Sequence, residues 1–319
     1  MRTVVVTADH RLEVQDTPEP RPDEGEVLVD VIAAGVNRAD LAQAAGTYPP
    51  PPGASPILGL EVSGRRRDTG EEVVALLAGG GYAETVAVPE AQLLPMPRGL
   101  SPIEAAGLVE VAATVVSNLV LEAGLPVETP EGAEPTRVLV HGGTGGIGSF
   151  ALQFARTTGA RVFTTVGSAE AVRHAEELGA ERAWNRHTDD VGAAVERLGG
   201  VDIILVVVGG PAVDTNVRML AEFGRLVVIG TLGGSTGTLD VGTLMSRRAR
   251  VIGTTLRSRG VDDKARILRR TRELVWPLIE DGTIRVPVEA VHPLEDAGSA
   301  HAVLARGGHV GKVVLAVRD

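Results

Sequence analysis

Residues 137–148 read Arg-Val-Leu-Val-His followed by Gly142-Gly143-Thr144-Gly145-Gly146-Ile147-Gly148, and the chain then continues as an amphipathic helix over 146–158. A short buried strand therefore runs through a glycine-rich turn directly into a helix. Gly143, Gly145 and Gly148 satisfy G-x-G-x-x-G. In that pattern the first glycine permits the tight turn and the second lets a pyrophosphate approach the backbone. The third lets helix and strand pack closely, and the helix N-terminus faces the phosphates. The same glycines are open to a purely structural reading as a turn. What separates the two is the surrounding strand–turn–helix unit inside a repeating run. Further strands read at 161–167, 181–185, 202–209, 224–230 and 250–255, with helical stretches such as 169–178 between them. Alternating strands and helices with nearly continuous apolar strands predict an α/β fold with a doubly wound parallel sheet, the Rossmann arrangement.

A site of this kind that selects NAD places Asp or Glu at the end of the second strand to bind the ribose 2′-hydroxyl. Here that strand ends Val166-Gly167-Ser168, with no carboxylate. A small corner carrying a hydroxyl fits a 2′-phosphate better, so the expected cofactor is NADP(H). The basic partner is Arg173 or Arg186, each of which also reads as a solvated surface charge. Gly209 and Gly230 follow the fourth and fifth strands, where open α/β sheets bind ligands, or else form ordinary turns.

The first third has a different texture. VLVDVIAAGV (27–36), EEVVALL (71–77) and YAETVAVP (82–89) are strands with turn signals between them, an all-β pattern. Prolines and glycines crowd 46–59. An Ala-rich helix is expected over 101–124, capped by Gly124. After 271 an amphipathic helix (TRELVWPLIEDG) leads to a strand-like IRVPVEAVHP, a helix over 294–306 and a last strand, KVVLAV. The organisation expected is a β-rich domain over 1–117, a dinucleotide-binding domain over 118–271, and a return to the first domain over 272–319.

Composition narrows the function. With hydrophobic residues at 44% and aromatics at 3%, the core must be built from Val, Leu, Ile and Ala. A net charge of −10 makes nucleic acid and anionic membranes poor partners. The chain has no cysteine, which excludes disulfides and thiolate metal sites. The first residues form too short an apolar run for a signal peptide. No apolar stretch is expected to span a bilayer, so a cytoplasmic protein is expected. Of 31 basic residues only Lys264 and Lys312 are lysines, so an anion site must rely mostly on arginine. The histidines show no metal spacing, and His141 reads as structural. There is no G-x-S-x-G, no Walker lysine and no carboxylate pair set for hydrolysis.

Asn37-Arg38-Ala39-Asp40-Leu41, Gly46-Thr47-Tyr48-Pro49-Pro50-Pro51 and Pro56-Ile57-Leu58-Gly59-Leu60-Glu61 resemble the medium-chain dehydrogenase/reductases. Within them they are most like the quinone oxidoreductase branch and its tumour-suppressor-inducible group. The resemblance continues through Ala75-Leu76-Leu77, Gly79-Gly80-Gly81-Tyr82-Ala83, Glu110 with Thr114, Leu256-Arg257-Ser258-Arg259 and Gly311-Lys312-Val313-Val314. It covers nearly the whole chain. It implies a GroES-like β-rich catalytic domain beside the Rossmann domain and a homodimer formed through the Rossmann sheets. Zinc-dependent members carry a cysteine ligand where this chain has Asn37 and a histidine ligand where it has Leu60. No metal site is therefore expected. A carbonyl that zinc would otherwise polarise gives way to an already electrophilic acceptor, a quinone or a conjugated enone. The chain departs from the family in its short Arg65-Arg66-Arg67-Asp68-Thr69 turn, where relatives have a longer hairpin. It also departs at Ala171 and Arg186, where some NADPH-dependent relatives have Lys and Tyr.

Hydride transfer needs acceptor and nicotinamide held at near-attack distance and a donor for charge developing on oxygen. The resemblance puts Tyr48 in the substrate-facing loop, where it hydrogen-bonds the acceptor oxygen, or else packs on the proline run. It gives Asn37 the positioning of acceptor or nicotinamide, against a plain turn amide. Asp40 reads as fixing loop and helix geometry. Thr114 is placed near the nicotinamide, against a helix threonine bonding its own backbone. Leu256 and Arg257 are placed along the cofactor, Arg257 alternatively in a surface ion pair. Lys312 is read as reaching phosphate or nicotinamide-side groups, against a solvated strand lysine. The function expected is NADPH:quinone reduction. The alternatives are reduction of an enone or enoyl thioester, and a non-catalytic NADPH-binding sensor.

Overall fold

The computed structural model describes residues 1–318. They group into two compact units, one built from Met1–Ala113 with the chain from Leu256 onward, the other from Thr114–Thr255. The first unit opens with an antiparallel pair, β1 (Arg2–Val6) and β2 (Leu12–Asp16). The long β3 (Glu26–Val36) follows, then the short helix α1 (Arg38–Ala44) and strands β4 (Glu61–Arg66), β5 (Glu72–Leu76), β6 (Thr85–Pro89) and β7 (Leu93–Pro95). Next come α2 (Pro102–Ala105) and α3 (Val109–Val115), which runs on as a π-helical stretch over Val116–Glu122.

The second unit alternates strand and helix. Its elements are β8 (Arg137–His141), α4 (Gly146–Thr157), β9 (Arg161–Val166), α5 (Ala169–Glu177), β10 (Arg182–Asn185), α6 (Val191–Arg197), β11 (Val201–Val206), α7 (Val213–Met219), β12 (Leu220–Val228), α8 (Val241–Ser246) and β13 (Arg250–Gly253). All strands pair in parallel in the order β10-β9-β8-β11-β12-β13. This is the 3-2-1-4-5-6 order of dinucleotide-binding sheets. Val138, Leu139, Val140, Phe163, Ile203, Ile204 and Leu205 are buried. Strands covered on both faces have no polar side, hence the unbroken apolar runs in the sequence. The chain then returns to the first unit with α9 (Val261–Glu280), β14 (Val288–Pro293), α10 (Ala297–Arg306) and β15 (Lys312–Ala316).

The sheet of the first unit has the order β14-β15-β3-β4-β5-β7, with β6 also on β3. β15 lies antiparallel to β3, Val313 opposite Val36. Its core gathers Val31, Leu58, Val62, Tyr82, Leu304, Val313 and Leu315.

Three expectations change. The unit boundary falls at Leu256, not 272, because α9 packs on the first unit. There Trp276 Nε1 donates to Pro95 O at 2.8 Å and Arg98 pairs with Glu280 at 2.6 Å. The single helix expected over 101–124 is interrupted after Ala105. Gly107 in the break lies along the stem of Lys312, 3.0 Å from where its own Cβ would stand. Finally, Pro102–Glu122 is long and apolar enough to cross a membrane by length and composition, contrary to the expectation that no stretch qualifies. However, 78% of its window is buried inside the protein. A chain this poor in aromatics fills its core with Ala, Val and Leu, and a core helix then carries the composition of a span.

α1 is fixed by a buried carboxylate. Asp40, at 0% exposure, accepts the N–H of Asn37 (2.8 Å) and of Gly59 (3.0 Å). Tyr82 donates its hydroxyl to the same carboxylate at 3.3 Å, and His301 Nε2 lies 3.2 Å from that hydroxyl. Burial pushes Asp40 up to about 6, against the hydrogen bonds that favour its charged form, and pushes His301 down to about 4. An acid raised on folding contributes stability that is full below its unfolded value, about 3.9, and is lost as pH climbs through its folded value. We predict that the wild-type protein loses stability relative to Asp40→Asn between about pH 4 and 6.5, by on the order of 2 kcal/mol. Urea denaturation of both proteins across that range measures the difference. Parallel pH profiles would rule out the buried proton.

Candidate active site

In the second unit the three motif glycines have different reasons to be glycine. A Cβ on Gly143 would stand 2.2 Å from Thr164 Oγ1, and one on Gly148 would stand 2.0 Å from Gly142 O. Both are dictated by packing, the first of the turn on β9 and the second of α4 on the turn. A Cβ on Gly145 would meet only Gly142 O, at 3.8 Å. Nothing in the protein requires glycine there, and the space above it is open. Gly145 caps α4, and the first intrahelical bond is Ser149 N–H to Gly145 O at 2.8 Å. The N–H groups of Gly146, Ile147 and Gly148 precede that bond, so the first turn has donors for an anion. Thr144, Gly145, Gly146 and Ile147 are all partly exposed beside it.

At the end of β9 the guanidinium of Arg186 lies over Gly167, whose added Cβ would come within 2.9 Å of it. Ser168 caps α5 by accepting the N–H of Ala171 at 3.1 Å, which leaves its hydroxyl proton to donate. Arg186 is exposed, and no ion pair holds its guanidinium among the described residues. Arg173 is exposed on α5; the arginine against Gly167 is Arg186.

His141 ends β8 between two partners. Its Nε2 lies 2.6 Å from Asn216 Oδ1 and its Nδ1 lies 2.7 Å from the hydroxyl of Thr165. Asn216 Nδ2 donates to Ala212 O, so Oδ1 accepts and the imidazole proton sits on Nε2. Burial lowers the histidine's proton affinity, so it stays neutral. Gly209 and Gly230 belong to loops packed on other backbone. Added Cβ atoms would come within 2.6 Å of Gly234 O and 3.0 Å of Val207 O respectively.

In the first unit the centre is a buried ion pair. Lys312, 3% exposed, donates from Nζ to Glu61 Oε1 at 2.7 Å and to Asn37 Oδ1 at 2.6 Å. Asn37 Nδ2 donates to Glu61 Oε1 at 3.0 Å and to Gly35 O at 3.4 Å, while Glu61 Oε2 accepts the N–H of Glu110 at 3.0 Å. Lys312 is thus not a solvated lysine. Its charge is matched by Glu61. Both N–H bonds of the Asn37 carboxamide are also occupied, which leaves one oxygen lone pair. Asn37 can accept from a hydroxyl but cannot donate to an acceptor oxygen.

Tyr48 follows α1 and is half-buried. Arg257 sits 5.2 Å from its ring centroid and donates from Nη1 to Tyr48 O at 3.4 Å, from Nε to Ala78 O at 2.8 Å, and from Nη2 to Gln43 Oε1. Gln43 in turn donates to Pro56 O at 2.8 Å. Arg257 is only 5% exposed. Arg257 is therefore not in a surface ion pair; its guanidinium clamps the Tyr48 loop. Leu256 beside it is half-buried, and Thr114 is buried in α3, where its carbonyl accepts from Ser117 Oγ and Asn118 Nδ2. Sequence reasoning missed Asn216, Gln43 and the pairing of Glu61 with Lys312. Asn216 and Gln43 carry no motif, Glu61 and Lys312 lie in separate motif segments 251 positions apart, and nothing local joins the partners. Among the described residues no three His, Asp or Glu side chains are grouped to hold a metal ion.

Comparison with known proteins finds family models in both units, the one in the second unit running past Leu256 into α9. Residues 146–272 match the zinc-binding dehydrogenase family model, and 23–98 match the alcohol dehydrogenase GroES-like domain. The quinone oxidoreductase of Thermus thermophilus, solved alone and with NADPH, is 32% identical over 99% of this chain and 100% of its own, with a TM-score of 0.83. Prostaglandin reductase-3 of Mus musculus is 32% identical over 69% of this chain and 59% of its own length. A phenolphthiocerol/phthiocerol polyketide synthase of Mycobacterium tuberculosis is 28% identical over 96% of this chain, which spans only 14% of that protein. A parallel six-stranded sheet opened by the glycine turn, a GroES-like unit and full-length similarity to solved relatives lead to one assignment: the chain belongs to the medium-chain dehydrogenase/reductase family of oxidoreductases.

Proposed function

We propose that the chain binds NADP(H) through the start of α4 and the Gly167–Arg186 corner, and reduces a quinone-like acceptor without a metal. The observation that carries the cofactor reading is Arg186, held over Gly167 with no carboxylate at the end of β9. A guanidinium and the Ser168 hydroxyl there suit a 2′-phosphate, where a carboxylate would repel it. Gly145 leaves room for the pyrophosphate over the first-turn N–H groups of α4. When bound, the dinucleotide supplies a hydride. The chain's own contribution is to hold and polarise. Tyr48 donates its hydroxyl to the acceptor oxygen, Arg257 fixes the Tyr48 backbone and ring, and Asn37 offers its remaining lone pair to a hydroxyl of the cofactor.

The zinc in the matched family's description does not fit this chain. Its ligand positions hold Asn37 and Leu60, and there is no cysteine to replace them. The Lys312 ammonium, within 2.7 Å of both Glu61 and Asn37, already places a cation at that point. We therefore assign no step to a metal. An acceptor that is electrophilic by itself follows, and the likeness to a quinone oxidoreductase favours a quinone. The likeness to a prostaglandin reductase supports a second reading, reduction of an activated alkene by the same hydride.

Arg186→Ala should weaken NADPH binding by about tenfold or more, the contribution of one charge-assisted hydrogen bond, and change NADH binding little. Equal losses for the two cofactors, read by fluorescence titration, would show that Arg186 does not select the phosphate. Tyr48→Phe should lower kcat with naphthoquinone by about 10²-fold while the Kd for NADPH stays near its starting value. A panel of quinones, enones and crotonyl thioesters decides between the readings. Fast thioester reduction without quinone turnover favours the second. Tight NADPH binding with no turnover on any acceptor would make the chain a sensor.

A further inference from the structure

The strands of the second unit all run one way, so its sheet has two different ends. The glycine turn sits at the carboxyl end of β8. At the opposite end, near where β8, β9, β11 and β12 begin, lies a cleft of about 560 Å³, within the range of small-molecule sites. Its apolar wall includes Pro126, Pro135 and Phe223. Three arginines line it, and they are not equivalent. Arg137 holds Asp202 at 3.0 Å and donates to Leu198 O at 2.7 Å. Arg161 holds Glu181 at 2.6 Å. Arg225 is half-buried and makes no hydrogen bond or ion pair among the described residues. Its guanidinium reaches towards the turn at Gly124, where an added Cβ would stand 3.8 Å from Nη2. In the parallel register of β12 on β13, Arg225 lies opposite Arg250, which is exposed and equally without a carboxylate. Like charges facing each other on adjacent strands are unfavourable. The carboxylates of the cleft do not relieve them. Asp202 is taken by Arg137 and Glu222 is paired with Arg248, while Glu134 is exposed and makes no ion pair with Arg225.

The aromatic wall is held in a strained conformation. Val201 on β11 pairs with Leu220 on β12, and the next matched pair is Ile203 with Arg225, so residues 221–224 swing out of the ladder. Within that swing Phe223 has φ 61°, in the left-handed region that bulky residues avoid. Its N–H is anchored on Arg247 O at 2.8 Å, and the Arg248 guanidinium lies 4.3 Å from its ring centroid. Phe223 is nonetheless 57% exposed. A bulge that served the fold alone would carry glycine or a polar residue at such a position. Strain that presents an aromatic ring to water, rather than to the core, points to use of the ring. We propose that this cleft is a second ligand site, at the far end of the sheet from the glycine turn, and that it takes a small planar carboxylate. The carboxylate lies on Arg225 and the ring against Phe223 and the prolines. A guanidinium offers a carboxylate two parallel N–H donors, and Arg225 gives up no ion pair to do so. A bare inorganic anion would leave Phe223 unused, and an uncharged ring would leave Arg225 unused.

Calorimetric titration of the full chain with naphthoate, naphthylmethanol and inorganic phosphate tests the site. Naphthoate should bind about tenfold more tightly than the uncharged alcohol, as one charge-assisted hydrogen bond provides. Arg225→Gln should bring that ratio towards one, while Arg225→Lys keeps part of it. Phe223→Gly, which also relieves the strain, should weaken naphthoate several-fold and leave the protein folded. In the wild-type protein, naphthoate should slow hydrogen exchange at residues 221–225 and leave 142–148 unchanged, a measurement that needs no variant. Equal affinities for naphthoate and the alcohol, a ratio that Arg225→Gln leaves unaltered, or protection confined to other residues would overturn the site. Phosphate binding as tightly as naphthoate, with Phe223→Gly neutral, would overturn the planar ligand.

Discussion

The first unit is organised around one buried pair of opposite charges. Glu61 on β4 and Lys312 on β15 meet with 0% and 3% of their surfaces exposed, and Asn37 bridges them. A buried ion is tolerable only with its partner in place, and losing one partner of such a pair costs about 3–5 kcal/mol. The backbone is shaped to admit it. A Cβ on Gly35 would stand 2.4 Å from Glu61 Oε1, and one on Gly107 would lie 3.0 Å from the Lys312 stem. The break between α2 and α3 at Gly107 and the glycine at position 35 leave this pair its room.

The dinucleotide-binding unit depends on a different balance, between where its backbone is forced together and where it is left apart. Gly143 and Gly148 are crowded to the limit, while Gly145 between them has only open space before it. A turn that served packing alone would have no reason to leave its middle glycine bare. His141 supports the same corner by linking β8 to β9 through Thr165 and to α7 through Asn216, as a neutral strut.

The sheet of the second unit was legible because its signals are local. Apolar runs, glycine turns and helix periods each sit within a few residues, and every strand from β8 to β13 overlaps a stretch read as extended, although β12 begins at Leu220, ahead of the 224–230 read for it. The site was legible only as far as its residues lie in motifs. Tyr48, Asn37 and the glycine turn are visible that way. What Lys312 does was not, because Glu61 is 251 positions away along the chain. Arg257 was hidden for the same reason, with partners 209 and 214 positions distant. The helix over 101–124 shows the limit most clearly. Its periodicity is real, but the reason for its interruption lies on β15. The extent of α9 was misjudged because an amphipathic helix does not announce which unit its apolar face will meet, here Pro95 through Trp276.

The placement of β15 also bears on how such a chain assembles. The second unit is one continuous stretch and can close as soon as its own residues exist. The first unit cannot, because a strand that follows the whole second unit in sequence lies between β14 and β3, within its sheet. Until β15 docks, the flank of β3 keeps unpaired peptide groups and the Glu61 carboxylate waits without its counter-charge. Vectorial synthesis thus delivers the second unit first, and the first unit is completed only when its most distant piece of sequence arrives.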